Sequence, residues 1–479
     1  MPAETDDLPQ HPLDEDARES HARVAPQRSK ARFRSAPSVT GGVRRFPDFG
    51  HLRNFQWPSA LANISYRKYW LSQIVALGGG WMQNVAMQLV VLSLTTSAFA
   101  IGAINVVAAL PMLMFSLYGG VLADRFDRRK IVIVSLGMLG AISAIYATLI
   151  GFDRLQYWHI LVLAALAGLI ASFELPAQQA YVSELVPKRD LQQAIALNSA
   201  SFNATRIVGP ALAATAISII GLAGAFLVNI VTLLAPMFTL IGLGKVVPKR
   251  NVAKQTTSGL EQLRDGMAYV RANEGTYGLI LLQALVSFFV SPNVLVLMPL
   301  FVVNVLGGSN AWVGYMLSAL GIGSLTGAIT LLRGSRTEKA GENRMKLVMS
   351  GLCIGMIWLS FAPNVWIAAP GVAIAGFSFS MGNTQLASRL QQTAPEELRG
   401  RVMSLVTLAF NGVMPFSTLL ISWLAQVVGQ KQVLFGSGVL LAIGVVVLWK
   451  RYVYKAFDPN LELVIPDRIR AAYPNLTFD

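Results

Sequence analysis

Charged residues, cysteine and histidine are all scarce in this chain. Of its 479 residues only 13% are Asp, Glu, Lys or Arg, about half the share in ordinary soluble proteins, whereas 54% are hydrophobic. The single cysteine, Cys353, excludes an intramolecular disulfide framework. Three of the four histidines precede residue 52, so the apolar region lacks a histidine pair for haem or metal, and we expect no cofactor.

Motifs of ATP-driven pumps and of common hydrolases are missing as well. No Gly-x-x-x-x-Gly-Lys-Ser/Thr loop occurs, which argues against ATP as the energy source. Neither Gly-x-Ser-x-Gly nor His-Glu-x-x-His occurs, and no carboxylates cluster within an apolar stretch. We therefore expect no enzymatic activity, with a membrane enzyme or a non-transporting membrane receptor as the alternative of another class.

The formal net charge of +14 raises the question of nucleic-acid binding, because basic patches bind phosphate. Most Lys and Arg residues, however, lie in the polar N-terminal tail or in alternate loops between apolar stretches. The excess of basic residues in cytoplasmic loops of membrane proteins explains this distribution. We expect no nucleic-acid partner.

Apolar stretches long enough to cross a bilayer follow one another from Trp70 to Tyr454. Twelve spans are predicted, at residues 70–96, 101–123, 131–152, 158–182, 194–220, 223–247, 276–303, 312–332, 345–361, 365–388, 402–428 and 433–454. The stretch at 345–361 is the shortest of them. The pattern predicts an all-α membrane protein with twelve transmembrane helices.

Loop charge predicts the orientation of these spans. The loops after even-numbered spans carry many basic residues, whereas the opposite loops carry only Arg154 and Lys431. Since basic loops stay in the cytoplasm, both termini and the central loop are predicted to be cytoplasmic, and the protein to be multi-pass in the cytoplasmic (inner) membrane.

Composition divides the chain into five parts. Residues 1–66 are predicted to be a mostly disordered cytoplasmic tail, with a short interfacial piece near Phe55 and Trp57, because this segment buries too little apolar surface to fold. Two six-helix bundles are expected at 67–247 and 276–455, with a cytoplasmic linker at 248–275 and a tail at 456–479. In the linker, apolar residues on one face between Leu260 and Val270 predict an amphipathic helix, on the membrane surface or across both halves.

An offset of 208 residues aligns the two halves. It pairs Gly119 with Gly327 and, deeper in the chain, Asn203 with Asn411. Because six spans separate equivalent helices, both copies face the same way and form a parallel repeat. In proteins built this way, the two halves rock around a binding site near the middle of the membrane.

The loop after the second span contains Gly-Val-Leu-Ala-Asp-Arg-Phe-Asp-Arg-Arg-Lys, residues 120–130. This run resembles the signature of the major facilitator superfamily, except that Asp127 replaces the usual second glycine, which predicts a less sharp turn. The resemblance implies a cytoplasmic gate motif at Gly120, Asp124, Arg125, Arg128 and Arg129. The carboxylate of Asp124 is expected to meet a helix N-terminus or a loop arginine. Plain topogenic charge is the simpler explanation of the arginines, but it does not explain Asp124.

Residues 206–214 look like the glycine-proline motif of major facilitator exporters, carried here by Gly209 and Pro210. An ordinary kinked packing helix would give the same pattern. Over residues 60–455 the chain resembles the enterobactin-exporter-like branch, which includes macrolide efflux proteins. This resemblance implies secondary active transport, usually proton-coupled export, of a small amphipathic molecule such as a siderophore, a drug or a related metabolite. Import of a small metabolite is the alternative.

Two ionisable residues fall well inside the predicted spans, Glu174 and Arg206. Because charges at membrane depth are costly, a functional role is the default expectation. Glu174 is predicted to exchange a proton and to alternate between a protonated and an Arg206-paired state. A permanent structural pair or a water-facing carboxylate is the simpler reading.

Polar and aromatic residues occupy similar places in the first and seventh spans. They are the candidates for lining a substrate cavity: Trp81, Asn84, Gln88, Phe289 and Asn293. Such residues also join helices to one another. The expected partners are thus a small-molecule substrate, protons and membrane lipid, and the protein is expected to be monomeric.

Overall fold

The computed structural model describes residues 59–243, 259–333, 338–458 and 464–466, which belong to one compact unit, Gln56–Asp479. The tail before Ser59, with the interfacial piece expected at Phe55 and Trp57, lies outside the described residues. The first half contains α1 (Ile64–Leu94), α2 (Ala98–Arg125), α3 (Arg128–Gly151), α4 (Tyr157–Leu185) and α5 (Leu191–Leu243). A short helix, α6 (Gly259–Ala272), follows.

The second half is built in the same way. It contains α7 (Glu274–Ser291), α8 (Asn310–Arg333), α9 (Glu338–Phe361), α10 (Val365–Thr393), α11 (Glu396–Thr407), α12 (Val413–Val428) and α13 (Gln430–Arg451). Three π-helical turns occur among the described residues of this half, at Pro292–Val296, Phe301–Val305 and Leu408–Gly412. The last of them joins α11 to α12 as one continuous span.

The all-α membrane fold is confirmed, with eleven helical stretches of the described chain long and apolar enough to cross a membrane. The number twelve is not reproduced because α5 covers two predicted spans, and only its part from Ile219 to Leu243 is among the eleven. The helix is interrupted at Gly221, where φ is +71°. Two segments of α5 therefore stand where the fifth and sixth spans were predicted.

The 208-residue repeat holds in three dimensions. Gly221 and Gly429, which are 208 positions apart, both adopt positive φ, +71° and +103°, between the last two spans of each half. Glycine enters this region without steric cost, whereas other residues are strained there. Each half thus makes its final turn in the same way.

A matched pair of helix crossings also follows the repeat. A Cβ atom at Gly119 of α2 would lie 2.0 Å from the carbonyl oxygen of Ser172 in α4, and one at Gly327 of α8 would lie 2.5 Å from that of Phe377 in α10. Pro176 lacks the N–H that would otherwise bond to the Ser172 carbonyl, so this oxygen is available at the crossing. Small residues let the backbones approach this closely.

Several helices extend beyond the apolar stretches that predicted them. The ninth span, expected at 345–361, is the end of the longer helix α9, whose charged start is stabilised by an ion pair of 2.7 Å between Glu342 and Lys346. α1 begins at Ile64 because the Asn63 side chain accepts hydrogen bonds from the backbone of Ser65 and Tyr66. Hydropathy does not detect polar helix ends of this kind.

Candidate functional site

The two ends of the bundle differ in charge. One end of the bundle is formed by residues 125–130, residues 186–190, α6 and the start of α11, and we call it the basic end. Arg125, Arg128 and Arg401 lie there. The opposite end is formed by the short connections at 95–97, 152–156, 306–309, 362–364 and Gly429. The two halves meet differently at these ends.

At the opposite end the halves are in direct contact through α2 and α12. The backbone N–H of Ala98 donates a hydrogen bond of 2.9 Å to Oε1 of Gln426. Gly102 packs so closely on α12 that a Cβ there would lie 2.6 Å from the Ser422 hydroxyl oxygen and 3.1 Å from the Thr418 carbonyl oxygen. This end is therefore sealed.

At the basic end the hydrophobic cores of the two halves are separate. One cluster of buried side chains joins the whole second half to the opposite-end part of the first half, including Ala98 and Ile101. A second cluster contains only first-half residues near the basic end, among them Tyr66, Val182 and Leu240. Among the described side chains, no second-half residue belongs to this second cluster. Over the part of the chain that the structure describes, the buried cores of the two halves are thus continuous at the opposite end and separate at the basic end.

The arginines of the gate motif fasten the α2–α3 turn to the rest of the first half. Arg128 pairs with Glu184 at the end of α4 at 2.8 Å, and its Nε donates to the carbonyl of Ala123 at 3.0 Å. Arg129 donates to the last carbonyls of α5, those of Leu240 at 2.6 Å and Ile241 at 2.8 Å. Cations suit the negative end of a helix dipole, so Arg129 caps α5.

The structure describes the other residues of the gate motif to different extents. Arg125 is exposed in the last turn of α2. Gly120 and Asp124 lie in α2, but the side chain of Asp124 is outside the description, so its contact with an arginine stays a prediction. Glu184 was missed by sequence reasoning because it lies beyond the predicted end of the fourth span at residue 182, in the last turn of α4.

The expectation of a less sharp turn at Asp127 is wrong. Only Phe126 and Asp127 separate α2 from α3, and Asp127 has φ of −64°, which requires no glycine. The carboxylate of Asp127 accepts hydrogen bonds from the backbone N–H groups of Arg129 at 3.1 Å and Lys130 at 3.4 Å. Aspartate therefore caps α3 and stabilises the turn where the family usually has glycine.

Glu174 lies in α4, about two helical turns before Tyr181 of the same helix. Tyr69 of α1 is buried, and its hydroxyl accepts a hydrogen bond of 2.7 Å from Gln73. Tyr181 meets Tyr69 edge to face at 5.7 Å. Within the described residues Glu174 belongs to no group of three or more possible metal ligands. The Arg206 side chain is outside the description, so its pairing with Glu174 stays a prediction.

Two of the predicted site residues are brought together at the crossing of α1 and α5. A Cβ atom at Gly209 would lie 2.6 Å from Cβ of Trp81. The glycine thus makes room for the indole of a cavity candidate in the neighbouring helix. Pro210 follows in α5, but its side chain is not described.

The remaining cavity candidates lie in different surroundings. On α1, Gln88 donates a hydrogen bond of 3.1 Å to the exposed side chain of Asn84, one turn earlier. Phe289 is partly buried, with its ring 4.9 Å from that of Phe288. Asn293 is buried and donates to the Phe289 carbonyl at 2.9 Å and to Ser437 of α13 at 3.2 Å, inside the second half.

A buried polar junction in the first half was not predicted. Asn229 of α5 donates to the side chain of Gln83 in α1 and to Ser143 in α3, and Ser143 donates to Gln83 at 2.6 Å. In the second half, Gln283 of α7 donates to Asn383 of α10 at 2.9 Å. These amides join helices, as polar groups commonly do at membrane depth. Polar residues alone therefore do not distinguish cavity walls from helix contacts in a sequence.

The two repeated helical bundles define a multi-pass membrane protein of the major facilitator fold. Solved structures of similar shape include a bacterial homologue of the iron transporter ferroportin in the inward-facing state (TM-score 0.62, 16% identity, 81% of this chain and 98% of the other). A D-xylose-proton symporter is also similar (TM-score 0.58, 15% identity, 83% and 99%). At such low identity these likenesses show the fold alone.

The sequence matches the transmembrane secretion effector family over residues 57–462, and the chain belongs to this family of major facilitator transporters. It is 23% identical to macrolide efflux protein A of Streptococcus pyogenes, over 79% of this chain and 93% of the relative. It is 23% identical to the staphyloferrin A transporter of Staphylococcus aureus (76% and 90%) and 26% identical to the multidrug efflux pump Tap of Mycolicibacterium fortuitum (78% and 93%). The chain is thus a transporter with efflux-type relatives and not an enzyme.

Proposed function

We propose that this protein exports a small amphipathic molecule, such as a siderophore, a drug or a related metabolite, in exchange for protons. The single observation that carries the proposal is that the buried cores of the two halves are joined at the opposite end and separate at the basic end, which we interpret as a cleft that opens at the basic end. A molecule enters such a cleft from one side of the membrane only. The efflux-type relatives support export rather than import.

The basic end faces the cytoplasm in this proposal. Its exposed or partly exposed basic residues include Arg125, Lys130 and Arg399, whereas the described part of the opposite end carries only Arg154 and Lys431. Basic loops are retained in the cytoplasm during membrane insertion. The open cleft then receives its cargo from the cytoplasm or the inner leaflet, and both termini are cytoplasmic.

Transport proceeds by rocking of one half against the other. The contact between α2 and α12, including the Ala98–Gln426 hydrogen bond, opens while the basic end closes. Arg128 and Arg129 hold the α2–α3 turn to α4 and α5, so the first half moves as one body. One chain supplies both walls of the cleft, and we propose that the monomer is the transporting unit.

Glu174 is the proposed proton carrier. A carboxylate at membrane depth is costly when charged and unpaired, so its protonation state depends on what lies beside it. Tyr69 and the predicted partner Arg206 belong to the same half as Glu174, so the proposed alternation between a protonated and an Arg206-paired state takes place within the first half. A permanent pair of Glu174 and Arg206 is the simpler arrangement, and transport measurements separate the two.

Inside-out vesicles test this proposal with erythromycin as the probe. An acidic interior should drive erythromycin accumulation by the wild-type protein, and Glu174→Gln should remove the dependence on the pH gradient. Glu342→Gln, which alters a surface ion pair of α9, is the matched control and should behave as wild type.

Two results would count against the proposal. Uptake that needs right-side-out vesicles would establish import. A Glu174→Gln variant with unchanged dependence on the pH gradient would remove the proton-carrying role.

A further inference from the structure

The span formed by α11 and α12 is divided at mid-membrane by the π-helical turn Leu408–Gly412. The apolar stretch of this span runs from Leu398 to Val428. Asn411 is thus about 20 Å along the helix from Leu398, at 1.5 Å per residue, close to the middle of the span. A polar side chain occupies the depth at which the halves of such transporters hold their cargo.

One face of the helix up to this turn is both polar and exposed. Gly400, Ser404, Thr407 and Asn411 are exposed and recur at spacings of four, three and four residues, which places them on one helical face. Their neighbours Val402 and Leu405 are buried in the core of the second half. The Thr407 hydroxyl donates to the Met403 carbonyl at 3.0 Å, which leaves its oxygen as an acceptor.

This polar face is turned to the cleft rather than to lipid. An exposed amide in hydrocarbon would lack any hydrogen-bond partner, whereas one in a water-filled cleft is solvated. Beyond the π turn, Thr418 and Ser422 are fully buried, and α12 packs against α2 at Gly102. The same span is therefore covered by the first half at the sealed end and uncovered where the halves are apart.

The π turn is held in place by the second half itself. The buried hydroxyl of Ser287 in α7 donates a hydrogen bond of 2.6 Å to the carbonyl of Phe410. The Phe410 ring is 6.2 Å from that of Phe379 in α10. π turns occur frequently at functional sites, because they re-aim side chains within an otherwise regular helix. Here the Ser287 hydrogen bond holds the backbone of the turn directly before Asn411.

We propose that Asn411 and Thr407 bind the transported molecule through hydrogen bonds and select for uncharged hydroxyl and carbonyl groups, with Ser287 as the residue that positions them. No Asp, Glu, Lys or Arg occurs between Val402 and Val428, so this wall offers hydrogen bonds without charge. The inference rests on the proposed transport function and adds to it the chemistry of the cargo. By the repeat, Asn203 occupies the equivalent position in the sequence of α5.

The first test asks whether the face is water-accessible. In a Cys353→Ala background, Asn411→Cys should react with a water-soluble maleimide applied to inside-out vesicles, and erythromycin should slow the reaction. Ile443→Cys, at an exposed apolar position of α13, is the control and should not react. An unreactive Asn411→Cys would overturn the proposal whatever the result of the transport assay.

The second test compares two probes. Asn411→Leu should raise KM for erythromycin, which has many hydroxyl and carbonyl groups, about three- to tenfold, as expected for one lost hydrogen bond. The KM for tetraphenylphosphonium, which forms no hydrogen bonds, should stay unchanged in this variant. Ser287→Ala should raise the same KM to a smaller degree with normal expression, and Asn304→Leu, an exposed asparagine of another π turn, should have no effect.

The outcomes separate the two proposals. If Asn411→Leu raises KM equally for both probes, or changes KM for neither, the selectivity proposal is overturned while the transport function stands. A wild-type protein that transports neither probe, together with a labelling rate that neither probe changes, would overturn both.

Discussion

At the scale of single residues, the α2–α3 turn shows how a family signature is used locally. Asp127 caps α3, Arg129 caps α5, and Arg128 pairs with Glu184 of α4. The signature predicted basic residues at this place but not their partners. Glu184 lies 56 positions from Arg128, and the α5 carbonyls lie more than 100 positions from Arg129. Contacts at such separations depend on how the helices pack, which the local sequence does not contain.

Arg129→Ala should lower the free energy of unfolding by about 1–2 kcal/mol, because two helix-end carbonyls lose a charged donor. The measurement is thermal or denaturant unfolding in detergent, followed by tryptophan fluorescence. Arg125→Ala, at an exposed arginine four residues earlier, is the control and should have little effect. Equal stability of the two variants would contradict the capping role of Arg129.

Asp127→Ala should destabilise the protein by about 1 kcal/mol, since the first turn of α3 loses its cap. Asp127→Asn should retain most of the stability, and Asp127→Gly, which restores the residue usual in the family, should lose only a few tenths of a kcal/mol. The same unfolding assay compares the three variants. A glycine variant more stable than the wild type would show that the turn is strained by aspartate.

At the scale of helices, α6 is packed on the second half. Arg401 of α11 and Asp265 of α6 form an ion pair of 2.6 Å with both side chains nearly buried, and the Tyr269 hydroxyl donates to the Thr393 carbonyl at 2.6 Å. Gly266 lies close to Arg401, since a Cβ there would be 3.1 Å from its Cβ. The helix stands where the amphipathic pattern of residues 260–270 predicted one, and the described part of it packs on α11 and α7.

Arg401→Ala should release α6 from α11. The reason is that the nearly buried Asp265 carboxylate loses its ion pair with the Arg401 guanidinium. Breaking a buried pair from one side costs about 3–5 kcal/mol. Faster hydrogen exchange in residues 259–272 is the expected result. Arg399→Ala, at an exposed arginine of the same helix, is the control, and similar exchange in both variants would show that the ion pair does not hold α6.

The C-terminal segment is attached at the junction of α6 and α7. The buried side chain of Asn273 donates to the carbonyl of Val464 at 2.8 Å and accepts from its N–H at 2.8 Å. Arg389 of α10 donates to the Ala456 carbonyl at 2.8 Å, and Lys455 pairs with Glu274. The boundary drawn at residue 456 from composition gave no sign of this contact, because one amide side chain makes it.

Asn273→Ala should free the segment around Val464 and make it a target for limited proteolysis, while α7 stays folded. The control is Asn304→Ala, which removes an exposed amide of the same half. Protection of the segment in Asn273→Ala would show that other contacts hold it.

Helices as such are well predicted by hydropathy, because the bilayer imposes a length on every span. Their polar ends are not, as the early start of α9 at Glu338 shows. The break at Gly221 falls in the predicted gap between residues 220 and 223, whereas the π turn at Leu408–Gly412 lies within a continuous apolar stretch and was not predicted. This turn is bound by a neighbouring helix through Ser287, a contact that the local sequence does not contain.

At the scale of the whole molecule, the parallel repeat was readable from the sequence because each half needs the same small residues at the same crossings. Gly119 and Gly327 were aligned in this way and lie at equivalent crossings of the fold. Which end is open was not readable, since both ends of a rocking transporter must close in turn and the sequence contains the residues for both states. The separate cores at the basic end supply this information.

The most direct test of alternating access at these two ends is a reversible cross-link across the sealed end. In the Cys353→Ala background, Ala98→Cys and Gln426→Cys are joined by a short bifunctional methanethiosulfonate, with each single variant as control. Cross-linking should occur without substrate, stop erythromycin transport in vesicles, and be reversed by a reductant together with the return of transport. Transport that continues at the full rate with the ends of α2 and α12 joined would contradict a cycle in which this contact must open.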